Sequence, residues 1–133
     1  MIKKVDHIAV LVPDLEEARR FWVDALGLEL ERVESVPEEA VDIAFLPVGD
    51  SEIELLQPTD LESGVAKYLA KKGAGMHHLC FEVDDIEATL ARLRAANVPL
   101  ITETAKVGSS GKKYAFVHPK GTGGVLVELY ELV

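Results

Sequence analysis

The sequence holds a single cysteine, Cys80, so no disulfide can form within the chain. That fits a reducing compartment, where Cys80 reads as a small buried hydrophobe. Positive charge is also scarce. Lys and Arg number 14 against 23 Asp and Glu, giving a net charge of −9. Without a basic stripe to neutralise phosphates, nucleic acid is excluded as an expected partner. An anionic small molecule is not, provided it meets a local basic patch, and Lys112, Lys113 and Lys120 form the cluster that stands beside glycines. No apolar run approaches the roughly 18 residues of a membrane span. Nothing in Met1-Ile2-Lys3-Lys4-Val5-Asp6 resembles a signal segment, so we expect a cytoplasmic protein with no membrane partner.

What is present is enough apolar side chain for one core: 48% of 133 residues are hydrophobic, a length suited to one domain and too short for two ordinary ones. Any duplication must therefore share that domain, and a duplication is visible. Asp6-His7-Ile8-Ala9-Val10-Leu11-Val12 lies over His77-His78-Leu79-Cys80-Phe81-Glu82-Val83 at an offset of 78 − 7 = 71. The same offset aligns Asp14-Leu15-Glu16 with Asp85-Ile86-Glu87, and Ile43-Ala44-Phe45-Leu46 with Tyr114-Ala115-Phe116-Val117. Ile53-Glu54-Leu55-Leu56 then meets Val127-Glu128-Leu129-Tyr130 at 128 − 54 = 74, three extra residues being absorbed by Gly121-Thr122-Gly123-Gly124.

Within each copy the hydrophobic period changes in the same order. Segments 3–12 and 76–83 are short and rich in Val, Ile and Leu, as strands are. Asp14 and Asp85 stand at N-cap positions; Leu15, Ala18, Phe21, Trp22 and Leu26 recur at helical spacing until Gly27, and Ile86, Leu90, Leu93 and Ala96 do so in the second copy. Further strands are expected over 28–35, 41–48 and 51–57, and over 99–106, 113–118 and 125–132. The unit is βαβββ. Residues 60–72, closed by Gly73, read as a linking helix. The expected fold is α+β: a single domain over 1–133, with module one at about 1–58, the linking helix at about 60–73 and module two at about 75–133. The two βαβββ modules lie side by side and form one curved, open, eight-stranded mixed sheet around a metal-binding cup, helices outside.

Strand side chains alternate faces. Ile8, Val10 and Val12, like Leu79, Phe81 and Val83, should pack under the helices. His7 and His78 then face the cup, followed by Ala9 and Cys80, which leave room there. By the same alternation Val125, Val127 and Leu129 should go under the helices while Glu128 points inward, as Glu54 does against Ile53 and Leu55. Each of the four, taken singly, reads as a solvated or hydrogen-bonded polar residue. Matching pairs of histidine and glutamate on one face are not explained that way, and together they make a mixed N/O ligand set for a divalent metal. Gln57 and Glu131 also match at 74, but parity puts them on the other face. His77 is set outside the cup on the same ground. His118, opposite Pro47 in the repeat, either touches a substrate or shapes the turn at Pro119.

Asp6-His7-Ile8-Ala9, Ile53-Glu54-Leu55-Leu56-Gln57-Pro58, Gly75-Met76-His77-His78-Leu79-Cys80-Phe81-Glu82-Val83, His118-Pro119-Lys120-Gly121 and Gly124-Val125-Leu126-Val127-Glu128-Leu129 together resemble the vicinal oxygen chelate superfamily. The closest likeness is to its methylmalonyl-CoA epimerase family. The likeness runs over essentially the whole chain, including Ser63-Gly64-Val65-Ala66-Lys67-Tyr68-Leu69. It implies His7, Glu54, His78 and Glu128 as metal ligands, Co2+ as the favoured ion with Mn2+, Ni2+, Zn2+ or Mg2+ as alternatives, and an acyl-CoA substrate epimerised by proton transfer through an enolate. Cobalamin belongs to the mutase that acts next. The family resemblance also implies a homodimer. Some of these epimerases carry glutamate where Ile43 stands and glutamine where Glu54 stands, so the catalytic pair here is expected to be Glu54 and Glu128. The phosphates of CoA are expected at Ser109, Ser110, Gly111, Lys112 and Lys113, with His118 as a further substrate contact; the alternative is a solvated hairpin tip. Rival readings are a glyoxalase I-like isomerase, an iron-dependent extradiol dioxygenase, and a metal-free, drug-sequestering module of the same fold.

Overall fold

In the computed structural model, which describes residues 1–108 and 111–132, the Val-, Ile- and Leu-rich segments form strands and the capped amphipathic ones form helices. Their order is β1 (Ile2–Leu11), α1 (Leu15–Arg19), β2 (Arg32–Val36), β3 (Val41–Val48), β4 (Ser51–Pro58), α2 (Gly64–Lys72), β5 (Gly75–Val83), α3 (Ile86–Ala95), β6 (Lys106–Val107), β7 (Lys113–Val117) and β8 (Val127–Glu131). The strands make one open, mixed, eight-stranded sheet in the order β2-β3-β4-β1-β5-β8-β7-β6, the architecture the repeat predicts. Among the described residues no helix is long and apolar enough to cross a membrane. The chain divides into two compact units, Met1–His7 with His78–Val133, and Ile8–His77.

In the unit Ile8–His77, Asp14 caps α1 by accepting from the Glu16 amide at 3.0 Å. The helix then widens into a π-helical turn over Arg20–Ala25, where Leu26 donates to the Phe21 carbonyl. That extra residue per turn rotates the apolar stripe: Leu15, Ala18, Trp22 and Val23 pack against Val10, Val12, Ala44, Leu46 and Leu55, whereas Phe21 and Leu26 are 55% and 53% exposed. The expectation that Phe21 and Leu26 join the buried face is corrected here. On the opposite face, Ala9 and Leu11 are fully buried with Val41, Ile43, Phe45 and Leu56, covered by Val65 and Leu69 of α2. The room expected beside Ala9 is therefore filled by the linking helix. β3 and β4 pair antiparallel with Phe45 opposite Glu54. The expected strand over 28–35 hydrogen-bonds as a ladder only at Arg32–Val36, an edge strand whose charged residues keep it wet.

In the other unit Asp85 caps α3 by accepting from the Ala88 amide at 3.0 Å. Ile86 and Leu90, both fully buried, pack with Val83, Ala115, Val117 and Leu129. β8 runs parallel to β5 with Glu128 opposite Cys80, and antiparallel to β7 with Glu128 opposite Phe116. Phe45–Glu54 and Phe116–Glu128 are thus the same cross-strand pair in the two copies. The expected strand over 99–106 is reduced to Lys106–Val107 and a bridge at Leu100. Pro99 cannot donate to a ladder, and Thr102 replaces a backbone acceptor by taking the Phe116 amide on its hydroxyl at 3.1 Å. Gly121 sits against this bend, where an added Cβ would lie 2.8 Å from Pro99 Cδ.

Both copies also cap their first helix from their last strand. The Leu15 amide donates to Gln57 Oε1 and the Ile86 amide to Glu131 Oε1, each at 2.8 Å. Parity correctly turned these two side chains away from the His7 face, and their repeat is explained by the unpaired amides of a helix start.

Candidate metal centre

The unit formed by Met1–His7 and His78–Val133 brings three expected ligands together. His7 is carried by β1, His78 by β5 and Glu128 by β8. His7 and Glu128 are 3% and 8% exposed. His7 Nε2 lies 3.2 Å from His78 Nε2 and 3.4 Å from Glu128 Oε1, and His78 Nε2 lies 3.1 Å from the same oxygen. The Phe116 ring stands edge-on to His78 with centroids 5.6 Å apart. Burial tends to raise the Glu128 pKa, yet hydrogen bonds and charge from His7 and His78 overcome it and hold the carboxyl well below the ordinary carboxylate range.

The His7 ring is turned by its neighbours. Its Nδ1 donates to Asp6 Oδ2 at 2.8 Å, and Asp6 Oδ1 accepts the Tyr130 hydroxyl at 2.5 Å. Burial pushes the Asp6 carboxyl up, but these two hydrogen bonds outweigh it and keep the group ionised. Burial, with the Asp6 bond and charge, pushes the Tyr130 phenol far above its ordinary value, so it stays a donor. With a proton on Nδ1, a neutral His7 aims the Nε2 lone pair at His78 and Glu128.

Two ring nitrogens and a carboxylate oxygen this close repel one another unless a proton on an imidazole or a cation lies among them. Metal–ligand distances of about 2.0–2.1 Å imply ligand–ligand separations of about 3.0 Å at right angles and about 3.4 Å in a tetrahedron. The edges of 3.1, 3.2 and 3.4 Å fall in that range, and two imidazoles with a carboxylate suit a divalent ion. The donor set fits the metal.

Glu54, the fourth expected ligand, belongs to the other unit, where it is 9% exposed on β4 between Ile53 and Leu55, which face α1. His77 packs edge-on against Tyr68 with centroids 4.9 Å apart. His118 is exposed and accepts the Lys120 amide on Nδ1 at 3.0 Å, shaping the turn Pro119–Gly121. Lys112 holds its ammonium 4.8 Å from the centroid of Tyr130, and Gly111 has φ +82°. Ser109 and Ser110 lie outside the described residues. Ile43 is buried among hydrocarbon, and Asp42 accepts the Ser35 hydroxyl at 2.5 Å. Sequence reading missed Asp6 and Tyr130. Alternation along β8 places Tyr130 on the Glu128 side, and that was the available signal.

Residues 6–116 match the model of the Glyoxalase/Bleomycin resistance protein/Dioxygenase superfamily. The mitochondrial methylmalonyl-CoA epimerase of Mus musculus is 42% identical over 127 residues, which span 95% of this chain and 71% of that protein. The crystal structure of methylmalonyl-CoA epimerase from Mycobacterium tuberculosis superimposes with a TM-score of 0.87 at 36% identity, over 99% of this chain and 89% of that one. A methylmalonyl-CoA epimerase in complex with methylmalonyl-CoA and NH4+ gives a TM-score of 0.86 at 34% identity, over 98% and 95% of the two chains. Matched over nearly its own whole length, the chain belongs to the glyoxalase/bleomycin resistance protein/dioxygenase superfamily and, within it, to the methylmalonyl-CoA epimerase family.

Proposed function

We infer that the protein is a metal-assisted epimerase that interconverts the (2R) and (2S) forms of methylmalonyl-CoA. The observation that carries this reading is the triangle of His7 Nε2, His78 Nε2 and Glu128 Oε1, backed by Asp6. We assign Glu54 as the fourth ligand, cobalt as the ion, and a cytoplasmic homodimer as the working assembly. A divalent ion held there supplies positive charge where negative charge develops between thioester and carboxylate as the α-proton leaves.

The chain must then move a proton across a flat intermediate. One carboxylate oxygen takes the α-proton while the C–H electron pair passes into the enolate, and a protonated carboxyl on the opposite face returns a proton to carbon. After one turnover the two groups have exchanged roles. We assign this pair to Glu54 and Glu128, which hold equivalent places opposite Phe45 and Phe116. Ile43, a hydrocarbon, cannot take part. The test is deuterium incorporation at the α-carbon of methylmalonyl-CoA in D2O, with apo protein and with cobalt added. Exchange is expected only with metal; no exchange by the cobalt-loaded protein would leave a glyoxalase-like reaction instead. Glu54→Gln should keep the metal and strongly slow exchange, and near wild-type turnover would remove Glu54 from this role.

A further inference from the structure

We propose that Asp6 and Tyr130 are positioning residues for His7, fixing its ring so that Nε2 offers a lone pair to the metal. This rests on the metal reading of His7, His78 and Glu128. Both oxygens of Asp6 are engaged, Oδ2 by His7 Nδ1 at 2.8 Å and Oδ1 by the Tyr130 hydroxyl at 2.5 Å, so the carboxylate cannot turn without breaking one bond. A carboxylate only accepts, and Asp6 at 2.8 Å from Nδ1 competes better than Glu128 at 3.4 Å from Nε2, which places the proton of a neutral His7 on Nδ1. Tyr130 is itself confined, being 7% exposed with the Lys112 ammonium over its ring.

The internal repeat separates this device from packing inherited by both copies. At an offset of 71 the counterpart of Asp6 is His77, which packs on Tyr68. At an offset of 74 the counterpart of Tyr130 is Leu56, a core residue. Asp6, from the first copy, and Tyr130, from the second, therefore have no counterparts of their own kind, although the histidines and glutamates are common to both copies. Carboxylates behind metal-bound histidines raise ligand basicity and fix the tautomer, and losing one costs about 10–100-fold in affinity.

Two measurements test the assignment. In metal-free protein at a pH where the His7 ring is neutral, 15N NMR should show the Nδ1–H tautomer, and Asp6→Ala should turn it into a mixture. In cobalt titrations Asp6→Ala should weaken binding by about 10–100-fold, with smaller losses for Asp6→Asn, which keeps an acceptor, and for Tyr130→Phe. A role in folding alone would lower the melting temperature while leaving the Kd and the tautomer as in wild type, and that result overturns the proposal. Should Asp6→Ala fail to fold, Asp6→Asn and Tyr130→Phe both binding cobalt as tightly as wild type overturn it equally. A wild-type protein that binds no cobalt would sink the metal reading, and the tautomer, measured without metal, would still decide this one.

Discussion

Replacing Glu128 by Gln removes one charge and leaves the side-chain volume almost unchanged, so it separates metal holding from packing. In the metal-free protein the carboxyl of Glu128 is held below its ordinary value by two imidazoles. A group shifted in that direction contributes stability above its unfolded pKa and loses it as pH falls toward the folded one. Glu128→Gln should therefore start from a lower melting temperature at neutral pH. The decisive quantity is the further rise when cobalt is added, from which that starting difference cancels. A ligand at a hundred times its Kd stabilises the fold by about 2.7 kcal/mol, which in a domain of this size raises Tm by about 10 °C. Losing a direct ligand should weaken binding by at least the roughly hundredfold that outer contacts can cost. At the same cobalt concentration the variant then gains only about 0.4 kcal/mol, or about 2 °C. Differential scanning fluorimetry of both proteins, with and without cobalt, reads the difference directly. An equal cobalt-induced rise in Glu128→Gln would show that the ion sits elsewhere and would refute the site.

Cobalt affinity should fall as pH is lowered, because metal ligands bind in their deprotonated forms; isothermal titration in buffers of different ionisation heat counts the protons released. Glu131→Ala leaves the buried Ile86 amide without its acceptor and should cost about 1–3 kcal/mol in urea unfolding, whereas Glu131→Gln should cost less, since Gln57 does the same work for Leu15. Leu90→Ala, in a fully buried position on the inner face of α3, should cost about 2–5 kcal/mol by the same measurement with an unchanged m-value.

The repeat carried most of what could be read in advance. A fixed offset named the strands and helices of both copies, and alternation placed Val10, Val12, Val127 and Leu129 under the helices, where they are found, but also Val125, which precedes β8 and is 45% exposed. The same two rules singled out His7, His78 and Glu128, which meet. Periodicity was less informative where hydrogen bonding, not burial, decides the structure. The π-helical turn at Arg20–Ala25 carries no hydrophobic signature, and the bend at Pro99–Thr102 depends on a threonine hydroxyl standing in for a carbonyl. Burial of Ala9 and Leu11 was hidden for a different reason. It depends on where α2 packs, and nothing in the strand's own pattern states which face a distant helix will cover. His118 was readable in both directions from its place beside Pro119, and the Lys120 amide it accepts fixes it as part of a turn.

A duplicated chain suits this reaction for a physical reason. Epimerisation interconverts mirror configurations at one carbon, so the two directions make nearly equal demands on the groups that remove and return the proton. Two copies of one strand pair each present a glutamate opposite a phenylalanine, Glu54 opposite Phe45 and Glu128 opposite Phe116, and the proposed proton-transfer pair is this repeated one. Holding an ion makes no such demand for symmetry, and that is where the copies diverge: Asp6 and Tyr130 stand behind His7, while the corresponding positions carry His77 and Leu56. The residues that match between copies thus include both the proposed ligands and the proposed proton-transfer pair, whereas the differing residues Asp6 and Tyr130 support one ligand, His7, and touch no reacting atom in this reading. That division predicts that exchanging Tyr130 for the leucine of its counterpart would weaken cobalt binding more than it slows deuterium exchange at saturating metal. A variant slowed in exchange with its cobalt Kd unchanged would contradict it.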